Sequence, residues 1–278
     1  MQFSKYQGAG NDFILIDQRE HLWLRREDTS RIAHLCNRHF GIGADGLILL
    51  QAHPAYDFEM VYFNADGRES TLCGNGGRCI VAFAYQRGIR KKRYSFLAID
   101  GPHEAELTVE TSPGHFWVAL HMRDVGPIAP WPSGDASGQA QAFVLDTGSP
   151  HYVRWVKALE DCDMVQEGRA VRYSAPFRAP GINVNLVEDS REGLRIRTYE
   201  RGVEGETLAC GTGVTAAALA WHARQNLPPG TYEVPVFTRG GALTVRFTAL
   251  PSGYVDVWLC GPAVEVFQGE ISGGLALK

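Results

Sequence analysis

The chain has 278 residues, enough for two ordinary domains, and its composition of 45% hydrophobic and 21% charged residues is usual for a globular protein. Its net charge of -4 argues against a nucleic-acid-binding protein, in which basic residues would be clustered. The N-terminus lacks an apolar core of signal-peptide length, and no run of about 18 apolar residues occurs, so we expect a cytoplasmic protein without a membrane span.

Short apolar or alternating runs predict β-strands along most of the chain. In chain order they cover residues 13–17, 46–50, 58–63, 104–110, 116–122, 142–146, 183–187, 194–199, 231–238 and 242–247. An amphipathic surface helix is predicted over 26–37, where Asp28, Thr29 and Ser30 form a start signal. The stretch 127–141, rich in Pro, Gly, Ser and Ala, is interpreted as a linker between two halves.

Two similar cysteine motifs each precede a further predicted helix. The first motif is 72–78 (LCGNGGR) and the second is 209–215 (ACGTGVT). The helices predicted after them, 78–87 and 214–223, are apolar over most of their circumference, so both should be buried on most sides. A cysteine just before a helix is a candidate thiolate, because unpaired N–H groups and the helix dipole favour negative charge there.

The glycines of the motifs allow a close approach of the backbone and leave amides available for an anion, and they can at the same time make a tight turn from strand to helix. Neither motif has the Lys-Ser/Thr of a phosphate-binding P-loop. The remaining cysteines lack this glycine context and are assigned to packing: Cys36, Cys79, Cys162 and Cys260. Without a Cys-x-x-Cys pair, no structural zinc is expected.

The two motifs belong to an internal repeat. Cys73 and Cys210 are 137 positions apart, and four other pairs of segments match in the same order at offsets of 136 to 140. We therefore interpret the chain as two similar domains facing each other across a cleft, each a sheet around a buried helix. His151 suits a cleft edge, or is a structural or solvated histidine; Glu200 and Arg201 form a surface ion pair or contact a charged substrate.

Two matched thiols allow two kinds of chemistry. If they touch, they form a redox disulfide. If a substrate carbon lies between them, one removes a proton as thiolate and the other donates a proton to the opposite face, which inverts that carbon. The helix N-termini would hold an α-carboxylate and lower the thiol pKa values towards the working pH, so neither pyridoxal nor a metal would be required.

Over essentially its whole length the sequence resembles the diaminopimelate epimerase family. The resemblance is carried by 8–13 (GAGNDF), by 64–67 (NADG) leading to 73–79 (CGNGGRC), and by 200–202 (ERG) leading to 210–213 (CGTG). It implies a cofactor-independent isomerase of lysine and peptidoglycan precursor biosynthesis. Such an enzyme interconverts LL- and meso-2,6-diaminopimelate by proton transfer between two cysteines, usually as a homodimer and without a metal.

The resemblance also implies an α+β fold: two pseudo-symmetric domains from an internal duplication, each a mixed or antiparallel sheet wrapped around a central buried helix. We expect the first domain to comprise 1–118 plus 262–278, with Cys73 and the returning C-terminal strand, and the second to comprise 119–261, with Cys210. In the LL-to-meso direction Cys73 is the implied proton acceptor and Cys210 the donor, while His151 and Glu200 tune the thiol pKa values. The implied substrate contacts are Asn11, Asn64, Gly74, Asn75, Ser149, Asn183, Glu200, Arg201, Gly211 and Thr212.

Three features depart from the family pattern. Many members have Asn at the position of Ser149, some have Gln at that of Gly46, and the stretch 202–207 is one residue longer than the commonest pattern. Two alternatives stay open. One is a proline or hydroxyproline racemase, which typically has His where Asn75 stands. The other, from a different class, is a thiol redox or binding protein with a cycling disulfide between the two motif cysteines.

Overall fold

The computed structural model describes residues 1–132 and 142–271. They form two compact units: the first unit contains residues 1–120 and the described residues from 261 onwards, and the second contains residues 121–260. The proposed domain boundaries at 118/119 and 261/262 stay a prediction. Of the predicted linker, 133–141 lies outside the described residues, and Pro130–Trp131 is a short strand of the second unit rather than linker.

The first unit is a mixed sheet with two helices. Its neighbouring strands pair in the order antiparallel, parallel, antiparallel, parallel, antiparallel, antiparallel. The strands are β1 (Gln2–Gly8), β2 (Asn11–Asp17), β3 (Gly46–Gln51), β4 (Phe58–Asn64), β5 (Arg93–Ala98), β6 (Gly101–Ser112) and β7 (His115–His121). The helices are α1 (Thr29–Cys36), between β2 and β3, and α2 (Gly74–Gln86), between β4 and β5.

The second unit repeats this order. Its strands are β8 (Pro130–Trp131), β9 (Ala142–Asp146), β10 (Pro150–Trp155), β11 (Asn183–Asp189), β12 (Leu194–Glu200), β13 (Gly205–Thr207), β14 (Gly230–Thr238), β15 (Gly241–Leu250) and β16 (Gly253–Glu270). Helix α3 (Met164–Arg172) lies between β10 and β11, and α4 (Gly211–Arg224) between β12 and β14. From β9 to β16, leaving out β13, the pairings are again antiparallel, parallel, antiparallel, parallel, antiparallel, antiparallel.

This shared order of strands and helices confirms the predicted α+β fold of two similar halves. The predicted return of the C-terminal strand is confirmed as well. Strand β16 pairs with β15 up to residue 260, and from residue 261 it pairs with β7 and β1 of the first unit. Within residues 1–132 and 142–271, no helix combines the length and apolarity needed to cross a membrane.

Helices α2 and α4 are the two buried helices that the sequence predicts after the cysteine motifs. Helix α2 packs on β1, β2, β3 and β6 and is buried without a break over residues 75–84. Helix α4 packs on β9 to β12, β14 and β15, and is buried over residues 213–220. Because their sides are covered by their own sheets, these helices can meet a ligand only at their ends.

Candidate active site

Cys73 and Cys210 are the N-cap residues of α2 and α4. Both have an extended backbone, with φ -89° and ψ 124° at Cys73 and φ -117° and ψ 109° at Cys210. Their carbonyl oxygens accept hydrogen bonds from the amides of Gly77 at 2.7 Å and Val214 at 2.9 Å. The earlier amides of a helix lack partners within it, so each thiol lies beside N–H groups suited to an anion.

The glycines after each cysteine belong to the helix itself, which corrects the interpretation that they form a turn before it. Helices α2 and α4 therefore begin at 74 and 211, one turn earlier than the predicted 78 and 214. None of these glycines has a positive φ. Close packing requires the glycine at 213, where a Cβ would lie 2.5 Å from Oδ1 of Asn185, and space is also limited at Gly76, where a Cβ would lie 3.1 Å from Cδ1 of Ile48.

In the first unit, Cys73 lies beside two asparagines. Its Sγ is 3.4 Å from Oδ1 of Asn11, and Nδ2 of Asn75 donates to the same oxygen at 3.4 Å. The other end of the Asn11 amide, Nδ2, donates to Oδ2 of Asp45 at 2.7 Å. A carboxylate can only accept, so Asp45 turns the Asn11 oxygen towards the thiol, where it accepts from S–H.

A charged network supports Asn11 from behind. Asp12 forms ion pairs with Lys5 at 2.8 Å and with Arg38 at 2.7 Å, and Arg38 also pairs with Asp45 at 2.9 Å. Burial alone would raise the pKa of the Asp12 carboxyl, but the hydrogen bonds from Arg38 and Lys5 outweigh burial and lower that pKa well below its usual range. Asp12 is therefore ionised at neutral pH and anchors the strand end that carries Asn11.

Arg78 is completely buried next to the first turn of α2. Its Nη2 donates to Oδ1 of Asn75 at 2.8 Å, and its Nε and Nη1 donate to the carbonyl oxygens of Pro262 at 3.3 Å and Gly74 at 3.4 Å. Since the guanidinium group can only donate, it directs the Asn75 oxygen inwards and leaves Nδ2 to donate to Asn11.

Asn64 lies exposed at the end of β4 and is held by Tyr62. The Tyr62 hydroxyl donates to Oδ1 of Asn64 at 2.9 Å. A Cβ on Gly46 would lie 2.7 Å from Cε2 of Tyr62, so the tyrosine ring occupies the space beside this glycine. The ring thus fills the region next to the position where some members of the resembled family have Gln.

In the second unit, Cys210 is almost completely buried, at 9% exposure. Its Sγ is 3.4 Å from Oγ1 of Thr212, whose carbonyl oxygen accepts from Oγ1 of Thr147 at 2.8 Å. Thr147 therefore joins the end of β9 to the first turn of α4.

Asn183 connects two other predicted site residues, Ser149 and Arg201. Its Nδ2 donates to Oγ of Ser149 at 2.8 Å and to the carbonyl oxygen of Pro150 at 3.0 Å, and its Oδ1 accepts from the amide of Arg201 at 2.8 Å. Both amide hydrogens of Asn183 are thus used within the protein. Ser149 accepts the first of these bonds, so its own O–H is directed elsewhere and can donate to a ligand.

His151 and Glu200 have shifted pKa values. Burial, reinforced by the charge of Arg201, lowers the pKa of His151 to about 3, so the ring is neutral at pH 7. Its Nδ1 is 3.0 Å from Nδ2 of Asn185. Burial raises the pKa of the Glu200 carboxyl above its usual range, and the Thr207 hydroxyl opposes that shift.

The sequence analysis missed the side chains that hold the predicted residues in place: Asp45, Tyr62, Arg78, Thr147 and Asn185. Arg78 stands inside the first cysteine motif, and this position could have identified it as a site residue. Tyr62 and Asn185 lie two residues from Asn64 and Asn183 on the same strand, which puts them on the same face of the sheet. In the described part of the chain, no group of three or more His, Cys, Asp or Glu side chains is arranged to hold a metal ion.

Comparison with known proteins identifies the family. A family model described as diaminopimelate epimerase matches residues 3–123 and 143–254. A diaminopimelate epimerase from Flavobacterium psychrophilum is 42% identical over 272 residues, which cover 98% of this chain and 100% of that protein.

Solved structures of lower identity share the fold. A phenazine biosynthesis protein of the PhzF family from Bacillus anthracis has a TM-score of 0.74 at 16% identity, covering 98% of this chain and 99% of that one. A hydroxyproline epimerase from Agrobacterium vitis, with bound trans-4-OH-L-proline, has a TM-score of 0.68 at 14% identity, covering 98% and 90%. The family match and the 42% identity show that the chain belongs to the diaminopimelate epimerase family.

Proposed function

We propose that this protein interconverts LL-2,6-diaminopimelate and meso-2,6-diaminopimelate by a two-base mechanism, with Cys73 and Cys210 as base and acid. One observation carries the proposal: in a chain of this family, the two cysteines occupy equivalent N-cap positions of two equivalent buried helices. A pair of thiols in matched settings suits a reaction that needs one group on each face of a carbon.

In the LL-to-meso direction, the Cys73 thiolate removes the α-proton from one face of the substrate carbon. The C–H electron pair stays on the substrate as a carbanion delocalised into its carboxylate. The Cys210 thiol then gives its proton to the opposite face, so Cys73 ends as thiol and Cys210 as thiolate. The reverse reaction exchanges these roles. Amides at the starts of α2 and α4 stabilise the charge that develops on the carboxylate.

The helix starts also distinguish these thiols from the other cysteines. Burial raises the pKa of Cys36 and of Cys79 to about 12, which makes both inert at neutral pH. A thiol at a helix N-terminus is instead stabilised as thiolate by the helix dipole. No cofactor is needed in this mechanism, since both proton transfers use protein thiols.

The substrate carries a second amino acid group at its far end, and opposite charges would recognise it. We assign the distal ammonium to Glu200 and the distal carboxylate to Arg201. Further contacts are assigned to side chains and helix starts of both units: Asn11, Asn64, Gly74, Asn75, Ser149, Asn183, Gly211 and Thr212. As in the expectation from sequence, we propose a cytoplasmic homodimer.

The test is the loss of each thiol separately. Cys73→Ala and Cys210→Ala should each abolish epimerisation, measured as solvent deuterium entering the α-carbon of diaminopimelate, with an unchanged circular dichroism spectrum. Cys162→Ala is the matched control, because that thiol lies outside both motifs and donates to the carbonyl oxygen of Ala158, four residues away. Near-wild-type turnover in either motif variant would show that the two-base mechanism is wrong.

Two further arms test the alternatives. Deuterium that enters proline but not diaminopimelate would establish a proline racemase. We do not expect this outcome, because Asn75 stands where proline racemases typically have His. Assays with and without reductant test the redox alternative. A disulfide is neither base nor acid, so oxidation should abolish epimerisation, whereas a redox protein would function in its oxidised form.

A further inference from the structure

Asn185, in the middle of β11, is completely buried and hydrogen-bonded at both ends of its amide. Its Nδ2 is 3.1 Å from the carbonyl oxygen of Tyr152 and 3.0 Å from Nδ1 of His151, and its Oδ1 is 2.9 Å from Oγ1 of Thr198. The backbone carbonyl can only accept, so the atom that faces Tyr152 is the NH2 group.

This orientation of Asn185 determines where His151 carries its proton. One hydrogen of the NH2 group goes to Tyr152 and the other to Nδ1 of His151, so Nδ1 accepts and bears no proton. A neutral imidazole has one N–H, which is therefore on Nε2. The lowered pKa of His151 agrees with a neutral ring.

In this arrangement the Nε2–H of His151 is a donor that Asn185 does not use. It is buried, and among the described residues it has no hydrogen-bond partner. The neighbouring ring atom, Cε1, lies 3.3 Å from the place of a Cβ on Gly213, in the first turn of α4. Buried polar atoms without a partner are rare in folded proteins. This one is at the helix start that carries Cys210.

The first unit has apolar side chains at the equivalent positions. Strand β2 places Phe13 opposite Gly46, and β10 places His151 opposite Asn183, in the same parallel pairing. Phe13 is thus the equivalent of His151. Ile48 lies two residues after Gly46 on β3, and Asn185 lies two residues after Asn183 on β11, so Ile48 is the equivalent of Asn185.

A third pair of equivalent residues lies on the next strand of each sheet. Ile48 is opposite Tyr62 on β4, and Asn185 is opposite Thr198 on β12. Around Gly76, the equivalent of Gly213, a Cβ would lie 3.1 Å from Cδ1 of Ile48 and 3.5 Å from Cε1 of Phe13. Apolar packing therefore supports this helix start in the first unit, and the fold itself does not require a buried histidine there.

We propose that Asn185 is a positioning residue: it holds His151 as the neutral Nε2–H tautomer, so that the ring is a hydrogen-bond donor and not a base at the start of α4. The inference rests on the proposed function, because such a donor serves the Cys210 half of the reaction. The ring cannot take the Cys210 proton, since its Nδ1 lone pair is occupied and its Nε2 is protonated. Cys210 therefore keeps its proton for the substrate, and the N–H stabilises the negative charge that then develops at this helix start.

The tautomer can be read directly by NMR. In protein labelled with 15N-histidine, long-range 1H–15N correlations at pH 7 should show His151 with a protonated Nε2 and an unprotonated Nδ1, assigned by their loss in His151→Phe. His222, whose ring nitrogens lie 3.1 Å from the Tyr254 hydroxyl and 3.2 Å from the Pro228 carbonyl oxygen, is an internal reference. A His151 ring protonated at Nδ1, or at both nitrogens, would overturn the proposal.

Asn185→Asp tests the cause of the tautomer. A carboxylate cannot donate to Nδ1 and attracts a proton there, so the His151 signals should change to the Nδ1–H or doubly protonated pattern, with those of His222 unchanged. An unchanged His151 pattern would mean that Asn185 does not set the tautomer. The spectra do not depend on turnover. If wild-type protein fails to epimerise diaminopimelate, the proposed function fails, while the spectra still decide on the tautomer.

A double-mutant cycle tests whether Asn185 acts through His151. Asn185→Ile alone should lower kcat by about tenfold or more, because it removes the bond that orients the ring. In a His151→Phe background the same substitution copies the Phe13 and Ile48 pair of the first unit, and it should change kcat by less than about twofold. Equal losses in both backgrounds would show that Asn185 acts independently of His151.

Discussion

The two motif glycines that stand third in their helices provide a matched test of the packing argument. In Gly213→Ala the new Cβ lies 2.5 Å from Oδ1 of Asn185, an oxygen fixed by Thr198. In Gly76→Ala it lies 3.1 Å from Cδ1 of Ile48, the end of a flexible side chain. Helix propensity, about 1 kcal/mol for Gly against Ala, contributes equally to both. The difference between the variants is then the cost of overpacking, about 1–3 kcal/mol against Gly213→Ala.

Thermal unfolding of the full chain measures this difference. At about 2–4 °C per kcal/mol for a chain of this size, the midpoint of Gly213→Ala should be about 2–12 °C below that of Gly76→Ala. A midpoint equal to or above that of Gly76→Ala would refute the close contact between α4 and Asn185, and with it the reason given for glycine at this position.

Two further predictions concern His151 and Tyr62. Burial holds the pKa of His151 at about 3 against 6.5 for an ordinary histidine, so the unfolded chain binds the extra proton and the free energy of unfolding falls by about 1.4 kcal/mol per pH unit below about pH 6.5. Urea unfolding from pH 6.5 to 5 should show a steeper fall in wild type than in His151→Phe, and parallel slopes would contradict this. Tyr62→Phe removes the hydroxyl that donates to Asn64 and should raise KM for diaminopimelate by about 2- to 12-fold, from about 0.5–1.5 kcal/mol for one hydrogen bond. Tyr232→Phe, which loses a hydroxyl bond to Pro228, is the control, and equal KM changes in both would exclude a specific role.

Strands with a clear apolar pattern were predictable from sequence, whereas β1 was not. The prediction of 142–146 agrees with β9 at both ends. Strand β1 was missed because its interior carries Ser4 and Lys5, both buried. Lys5 is tolerated there through its ion pair with Asp12, a contact made only after the chain has folded. A local pattern cannot reveal such a pairing.

Helix α3 was missed for a related reason. Gly168 stands in its middle, and a central glycine weakens a helical pattern. In the structure a Cβ at this position would lie 2.4 Å from the ring of Tyr199 on β12, so close packing requires the glycine. The helix start does follow a familiar rule, since the side chain of Asp163 accepts from the amide of Gln166.

Some residues of the candidate site were also predictable from sequence, and others were not. The thiols could be located from sequence because a cysteine, a glycine pair and a small-residue helix are contiguous. Two side chains that orient the site could not be located in this way, because Asp45 and Asn185 bond to residues 34 positions away in the sequence, Asn11 and His151. Asn185 becomes meaningful only once β10, β11 and β12 place it against His151 and Thr198.

The contrast between the two helix starts bears on reversibility. In the proposed mechanism each thiol serves as base in one direction and as acid in the other, so neither can be held permanently in one protonation state. An imidazolium beside a cysteine lowers the thiol pKa to roughly 3–4 and would keep Cys210 as thiolate, unable to act as an acid. A neutral ring that offers only N–H stabilises the thiolate less strongly and leaves both states accessible. In the proposed arrangement, His151, Asn185 and Thr198 thus favour the Cys210 anion while keeping the thiol available, which the apolar side chains of Phe13 and Ile48 at the equivalent positions of the first unit cannot do by hydrogen bonding.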